Sequence, residues 1–381
     1  MNVLYINHSD ETFTPTQSGA IATHIFECCR VARAGGDEPL VISKNCAAAP
    51  YEGVRTILID HAPPSQNPII HKILRAERKL TGWRHVGQRN YAMKVARAIR
   101  EANLEEEAMI LHNDPEMAVF LRDKFPDAFI VHHFHNQIDA APAFRRRLRR
   151  AANVITSVSD FTSRWIEACY GLARNEVRTI YNGVDIERFT PAQETADALP
   201  VINFVGRTGI EKAPDLLLKA AARLAGKKSA AFSVQILGSN HWHKFEADEY
   251  QGQLQELCAD LERAGVSVRR PGHIPRAALP DELRRAHINV VPSRWDEPFA
   301  LTIVEGMACG LATVVSNTGG APEVVGDSGF LFERDSVEGL AAHLERLLSD
   351  EDMLAYYSLR ARARAEQFTW GRTWSLFRAA I

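Results

Sequence analysis

"PSRWDEPFALTIVEGMACG", residues 292–310, decides how the chain is read. Glu297 and Glu305 stand in it with only apolar residues and one threonine between them. A segment that buries Phe299, Leu301, Ile303 and Val304 tolerates two carboxylates only if each has a partner, because an unpaired buried charge is costly. The preceding "INVVPS" reads as a strand, "RWDEP" as a loop and "FALTIVEGMACG" as a helix ended by Gly310, with Pro298 in its first turn. Glu297 then stands at the strand's carboxyl end. The N–H groups of Phe299, Ala300 and Leu301 are left as orphan donors, and Glu305 lies about 12 Å along the axis. That separation is too long for two acids sharing one proton. It suits one acid on a sugar and one on a ribose, with a diphosphate near the helix start. The plain alternative, a helix-start acid and a surface acid, is disfavoured by the apolar neighbours of Glu305.

Outward from this stretch, short apolar runs alternate with helical segments. "NVLYIN" (2–7), "PLVIS" (39–43), "RTILID" (55–60), "AMILH" (108–112), "AFIVHH" (128–133) and "NVITSVS" (153–159) read as buried strands, with helices such as 20–34, 85–102 and 160–170 between them. A second series begins near 201 with "VINFVG", "FSVQILG", "VSVRR", "INVVPS" and "ATVVSN". Near-continuous apolar strands separated by helices imply parallel sheets covered on both faces. Two series imply two doubly wound α/β domains, joined in the polar, proline-bearing stretch 182–200. The tail 367–381 carries Phe368, Trp370, Trp374, Leu376 and Phe377 and reads as a packed terminal helix. In such sheets ligands bind beyond the carboxyl ends of the strands.

The bulk numbers narrow the classes. The chain has 381 residues, 46% hydrophobic and 24% charged, with a net charge of −2. A length of that order favours two domains, and the balanced charge argues against a nucleic-acid partner. Six cysteines are scattered without a Cys-x-x-Cys pair, as expected of reduced thiols in a cytoplasmic enzyme. The opening "MNVLYINHSDE" lacks the basic start and apolar run of a leader, and no run reaches the length of a membrane span. A cytoplasmic location is expected, with a peripheral place on the inner membrane face left open.

Other motifs sit at strand ends. "FVGRTGIEKAPDLLLKA" (204–220) puts Arg207 and Lys212 on a strand-to-helix loop. There a guanidinium fork and a mobile ammonium suit a diphosphate, or are two solvated cations. Gly19, where a long loop enters a helix, lets backbone N–H groups approach a phosphate, or is a turn glycine. No Gly-x-Gly-x-x-Gly or Walker A sequence appears. Gly319 and Gly320 in "SNTGGAPEVVGDSG" permit close approach to a ligand, or a turn. In "FIVHHFHNQ", strand alternation puts His133 and His135 on one side and His132 on the other. A metal site would need further ligands, and none stands at suitable spacing, so no metal is expected. One histidine at the strand's mouth meeting substrate is the better reading, with core or surface roles for the other two. "FRRRLRR" (144–150) and the series Lys72, Arg75, Arg78, Lys79, Arg84, Arg89, Lys94 and Arg97 form basic surfaces that suit an anionic lipid or acceptor, or are solvated faces.

These motifs in this order resemble glycosyltransferase family 4. "TIYNGVDIERFTP" is similar to the family's entry into its second domain, "FVGRTGIEK" to its diphosphate loop, and "PSRWDEPFALTIVEGMACGLATVVSNTGGAPEVV" to its Glu-x7-Glu signature with downstream glycines. The resemblance is strongest over 177–335. It implies the GT-B fold, two Rossmann-like domains facing across a cleft. These are an acceptor-side domain over 1–185, joined by the terminal helix near 366–381, and a nucleotide-sugar domain over 186–365. It implies a metal-independent, anomer-retaining, hexosyltransferase-type enzyme of glycan, polysaccharide or glycolipid synthesis. No cofactor is expected, and the co-substrate is a nucleotide-diphosphate sugar, UDP favoured over GDP.

By the same resemblance Arg207 and Lys212 neutralise the leaving diphosphate, Glu305 takes the ribose hydroxyls and Glu297 the sugar hydroxyls. Phe299, Ala300 and Leu301 complete the sugar-phosphate cradle. Ile274 meets the base, Gly19 and Gly238 belong to the donor site, and His135 approaches the transferred sugar. Two positions depart from the family pattern: Ser18-Gly19-Ala20 where two glycines are usual, and Ala213 after Lys212 where glycine is usual. An epimerase or phosphorylase on the same fold, or a non-catalytic sugar-nucleotide-binding subunit, are the competing readings.

Overall fold

Strands apolar on both faces need helices on both sides of their sheet, and both series obtain them. The computed structural model describes residues 1–16, 19–61, 72, 76, 79–85, 87–192, 199–226, 231–239 and 247–381. Part of the joining stretch, 193–198, therefore lies outside the described residues, as do Ser18, Arg75 and Arg78. The chain divides into two units, Met1–Asn182 with Trp370–Ile381, and Gly183–Thr369.

In the first unit the strands are β1 (Asn2–Ile6), β2 (Glu38–Lys44), β3 (Arg55–Ile59), β4 (Ala108–His112), β5 (Ile130–Phe134), β6 (Val154–Ser157) and β7 (Val177–Thr179). They form one sheet in the order β3-β2-β1-β4-β5-β6-β7, and every pairing is parallel. Its helices are α1 (Ala20–Ala34), α2 (Gln88–Glu101), α3 (Pro115–Lys124), α4 (Pro142–Ala151) and α5 (Asp160–Tyr170). Local chemistry fixes their ends. Asp114 caps α3 by accepting from Met117 N at 2.9 Å, with Pro115 in its first turn. Ser159 caps α5, which Gly171 ends at φ +63. Leu4, Ile6, Met109, Leu111 and Ile130 pack with Val95, Ile99 and Leu121 as the core.

The second unit holds β8 (Val201–Val205), α6 (Pro214–Leu224), β9 (Ser233–Leu237), α7 (Ala247–Arg263), β10 (Val268–Gly272), α8 (Leu279–Leu283), β11 (Ile288–Val291), α9 (Leu301–Ala308), β12 (Ala312–Ser316), α10 (Ala321–Val325), β13 (Phe330–Phe332), α11 (Val337–Ser349) and α12 (Glu351–Ala365). Its sheet order is β10-β9-β8-β11-β12-β13, again all parallel. The last helix, α13 (Trp370–Ala380), belongs to the first unit. There Trp370, Trp374 and Phe377 are buried, and Trp374 Nε1 donates to Asp37 at 3.0 Å. Both sheets are the doubly wound type that the two strand series imply. The order reverses between β1 and β4 and between β8 and β11, so each unit has a switch point where a ligand crevice forms.

Three local expectations are corrected. "RTILID" and "VSVRR" form the edge strands β3 and β10, which are open along one side rather than buried. The short strands β7 and β13 escape the reading because three residues show no alternation. Helix α9 begins at Leu301, not at Pro298. Ala300 is its extended N-cap (φ −81°, ψ 108°), and the Gly320 N–H holds the Glu297 carbonyl at 2.7 Å, so residues 297–300 are pinned as a loop.

Candidate active site

The two switch-point loops of the second unit, 206–213 after β8 and 292–300 after β11, are stitched together. The N–H groups of Arg294 and Trp295 both donate to the Glu211 carbonyl, at 2.9 and 3.2 Å, and Ser293 Oγ lies 3.0 Å from it. This seam positions the first of the two acids. Glu297 is buried, accepts from Ser293 Oγ at 2.7 Å and forms an ion pair with Lys212 Nζ. Arg207 is more open and pairs with Glu211 at 3.0 Å. Beneath the seam Arg294 grips both oxygens of Asp215 at 2.8 and 2.9 Å. Burial alone would raise the Asp215 carboxyl. Hydrogen bonds from Arg294, Lys219 and Tyr250 overcome that and hold it well below the usual carboxylate range.

Glu305, in α9, is 1% exposed and paired with Arg276. Arg276 follows Ile274 on the loop after β10, and its guanidinium lies over the Phe189 ring at 5.9 Å from the centroid. The two acids of the opening segment are therefore both held by cations, Lys212 and Arg276. A row of buried amides fixes the start of α9: Gln235 donates to Asn203 at 2.9 Å, Asn203 to Asn289 at 3.0 Å, and Asn289 to the Thr302 carbonyl at 3.0 Å. Gly306 leaves room for this row, since a Cβ there would lie 2.3 Å from Asn289 Nδ2.

The glycines have backbone neighbours rather than open space. At Gly238 (φ +135) a Cβ would meet the Gly206 carbonyl oxygen at 1.9 Å. At Gly319 (φ +56) it would meet the Glu297 carbonyl oxygen at 2.3 Å. Both positions let one switch-point loop pass close to its neighbour. Ala213 sits at φ +53, a left-handed backbone that glycine adopts freely and that costs another residue roughly 1–2 kcal/mol. That is one of the two positions where the sequence departs from the family pattern. Phe299 and Ala300 are buried in the loop before α9, and Leu301 opens the helix.

In the first unit Gly19 is the N-cap of α1. The Glu11 carboxylate lies against it, 2.7 Å from where a Cβ would stand, and accepts from Ala22 N at 3.2 Å. A side-chain anion thus already meets the orphan donors of that helix start. The histidines gather on one side of the sheet, as strand alternation predicts. His133 Nδ1 lies 2.7 Å from Thr156 Oγ1, and its ring centroid is 4.6 Å from that of His135. His132 points away and packs on Phe134. Sequence spacing offers these rings no partners, but the fold supplies two: His24 from α1 and His112 from the end of β4. His135 Nε2 is 2.8 Å from His112 Nδ1, and the His24 centroid is 4.8 Å from His135 and 5.4 Å from His112. Burial depresses the basicity of all of them, to about 4 for His24 and about 3 for His132, and well below the usual range for His112, His133 and His135. They are neutral imidazoles at pH 7. His112 Nε2 and His133 Nε2 are buried without a hydrogen-bond partner, which costs each about 1–3 kcal/mol.

Comparison with known proteins decides the family. Residues 21–188 match the family model Glycosyltransferase Family 4, and residues 185–364 match Glycosyl transferases group 1. The chain is a member of this glycosyltransferase family. It is similar to D-inositol 3-phosphate glycosyltransferase of Nocardiopsis dassonvillei, 32% identical over 60% of this chain and 55% of that protein. The match thus spans about half the length of that relative. Among solved structures it resembles Anabaena Alr3699/HepE in complex with UDP (TM-score 0.73, 17% identity, 100% and 99% of the two chains). It also resembles sucrose-phosphate synthase from Thermosynechococcus elongatus (TM-score 0.77, 18% identity, 100% and 98%). These likenesses confirm the GT-B fold.

Several residues of this glycosyltransferase escape sequence reading. Ser293, Arg294 and Asp215 lie inside the stretches 292–310 and 204–220 but carry no signal of their own there, and Arg276 has no motif around it. His112 does carry a signal, a polar residue ending an apolar strand at the sheet's ligand-binding edge. The basic surfaces are partly neutralised: Arg145 pairs with Asp139, Arg147 with Asp123, Arg149 with Glu176 and Arg97 with Glu101. Arg84 is turned inward onto the buried Glu116. Among the described residues no helix is long and apolar enough to cross a membrane.

Proposed function

We propose that this glycosyltransferase moves a sugar, with retention of anomeric configuration and without a metal, from a nucleotide-diphosphate sugar to an acceptor hydroxyl. The observation that carries the reading is the Lys212–Glu297 pair at the switch point of the second unit, with Arg207 on the same loop. In a metal-free diphosphate site the leaving charge must be met by side-chain cations. A cation already aimed by a buried acid and an anchored loop needs little reorganisation as that charge develops. Glu297 orients Lys212 and offers its carboxylate to sugar hydroxyls. The first turn of α9 supplies backbone donors for the phosphates. Glu305, fixed by Arg276, accepts from the ribose, and Ile274 and Gly238 flank the base-side loops.

A UDP-sugar is the favoured donor, supported by the UDP-bound Alr3699/HepE among the structural neighbours. The resemblance further assigns Gly19 and His135, both in the first unit, to donor and transferred sugar. Acceptor choice belongs to that unit's loops, and a peripheral contact of its basic helix α4 with an anionic membrane face is part of the same reading. The test is acceptor-dependent release of the nucleoside diphosphate in a chelator. Wild type should turn over with one donor, and Lys212→Ala should lose at least two orders of magnitude in turnover. Near-normal turnover in Lys212→Ala would overturn the assignment. Donor consumption without acceptor dependence would favour an epimerase or phosphorylase.

A further inference from the structure

His24, His112 and His135 reach one another from three separate elements of the first unit: the second turn of α1, the last residue of β4 and the residue after β5. One ring nitrogen from each lies within 4.8 Å of the other two, and all three side chains are buried. We propose that these three histidines form a binding site for one borderline divalent transition-metal ion, zinc foremost, with water in the fourth position.

The donor set selects the class of ion. Three imidazoles and no carboxylate suit zinc, cobalt or nickel, and not the oxygen-seeking magnesium or calcium. Two nitrogens on a tetrahedral ion at ~2.0–2.1 Å stand about 3.3 Å apart. The His112–His135 contact at 2.8 Å need only open by roughly half an ångström, and no pair of ligand atoms need close by more than about 1.5 Å. The surroundings resemble those of a ligated histidine. Asn182 Oδ1, 2.8 Å from His24 Nδ1, accepts its proton and leaves the lone pair on Nε2, the arrangement that orients metal-bound imidazoles. Tyr5 stacks on His112 at 5.8 Å between centroids and 8° between planes, and fixes that ring. His135 is shared with the proposed sugar-transfer site, and the metal titrations below, which read no activity, separate the two.

The test uses the full chain, free of any affinity tag and stripped with chelator. It is titrated with Co2+ alone, followed by visible absorption, and then with Zn2+ against a chromophoric chelator. One equivalent per chain should bind with the spectrum of a tetrahedral site, and Zn2+ should displace it. His24→Gln and His112→Gln should each weaken Zn2+ at least tenfold. His85→Gln should not, although His8, Asp10 and His85 form the second, exposed group of possible ligands among the described residues. Unfolding of each variant without metal shows whether it is folded. X-ray absorption on Zn2+-loaded wild type, which needs no variant, should show three imidazoles. Absence of binding, binding lost in His85→Gln but kept in His112→Gln, or fewer than two imidazoles on zinc would each overturn the proposal.

Discussion

Replacing Gly319 by alanine tests whether the loop after β12 holds Glu297 in place. Gly319 has φ +56, so any L side chain there costs roughly 1–2 kcal/mol in backbone strain. The added Cβ would also stand 2.3 Å from the Glu297 carbonyl oxygen and 2.6 Å from Asp296 C and Glu297 N. Ordinary contact begins at 3.4 Å, and the atoms met are backbone, so the 296–297 chain must move by about 1 Å. Lys212 is aimed through Glu297, and a misplacement of about 1 Å in such a group costs of the order of 100-fold in rate. Gly319→Ala should therefore lose about 2 kcal/mol or more of stability, read from urea unfolding. It should also lose roughly 100-fold in kcat/KM, read from acceptor-dependent diphosphate release. Gly252→Ala is the control. Gly252 lies inside α7 with nothing within 4 Å of its added Cβ, so this variant should keep wild-type turnover and gain up to about 1 kcal/mol. Wild-type turnover and stability in Gly319→Ala would refute the positioning role assigned to this loop.

Further outcomes follow from the same geometry. Glu297→Gln leaves Lys212 without its carboxylate and should lower kcat about 100-fold or more while the fold survives, checked by circular dichroism and steady-state kinetics. Asp215→Ala removes the bonds from Arg294, Lys219 and Tyr250, while Arg294 keeps its pair with Asp335; about 1–3 kcal/mol should be lost in urea unfolding. In chelator, stability should fall on acidification. The folded His24 titrates near 4 while the unfolded chain's histidine titrates near 6.5, so the unfolded state takes up the proton first. The contribution is full above about pH 6.5 and is lost as pH drops toward 4; between pH 7 and pH 5 it amounts to about 2 kcal/mol for His24 alone, measured by denaturant midpoints. A flat profile over that range would contradict the burial of neutral imidazoles. Chelator should leave sugar transfer unchanged, whereas Zn2+ bound at His135 should reduce it, checked by initial rates.

The architecture was legible because its strands are written as apolar runs such as "AMILH" and "INVVPS", and because polar residues cluster where those runs end. Edge strands were harder. "RTILID" reads like a central strand, since burial depends on a neighbour that local sequence does not name, and "FLF" at 330–332 is too short to show a period. The two glutamates announced that they needed partners but not which ones. Lys212 stands 85 positions before Glu297, and Arg276 29 before Glu305, so only the fold joins them. The helix start at Leu301 was missed because the tether from Gly320 to Glu297 overrides the preference of Pro298 for a first turn. The histidine group shows the same limit: spacing along one strand exposes His133 and His135, while His24 and His112 arrive from elsewhere in the chain.

The central claim is that the second unit holds a nucleotide-diphosphate sugar through Lys212, Glu297 and Glu305. Calorimetric titration of wild type, Lys212→Ala and Glu305→Ala with a panel of UDP- and GDP-sugars, in chelator, tests it most directly. One donor should bind wild type one-to-one and each variant at least tenfold more weakly. No binding of any donor to the folded wild type, or equal binding to all three proteins, would contradict it.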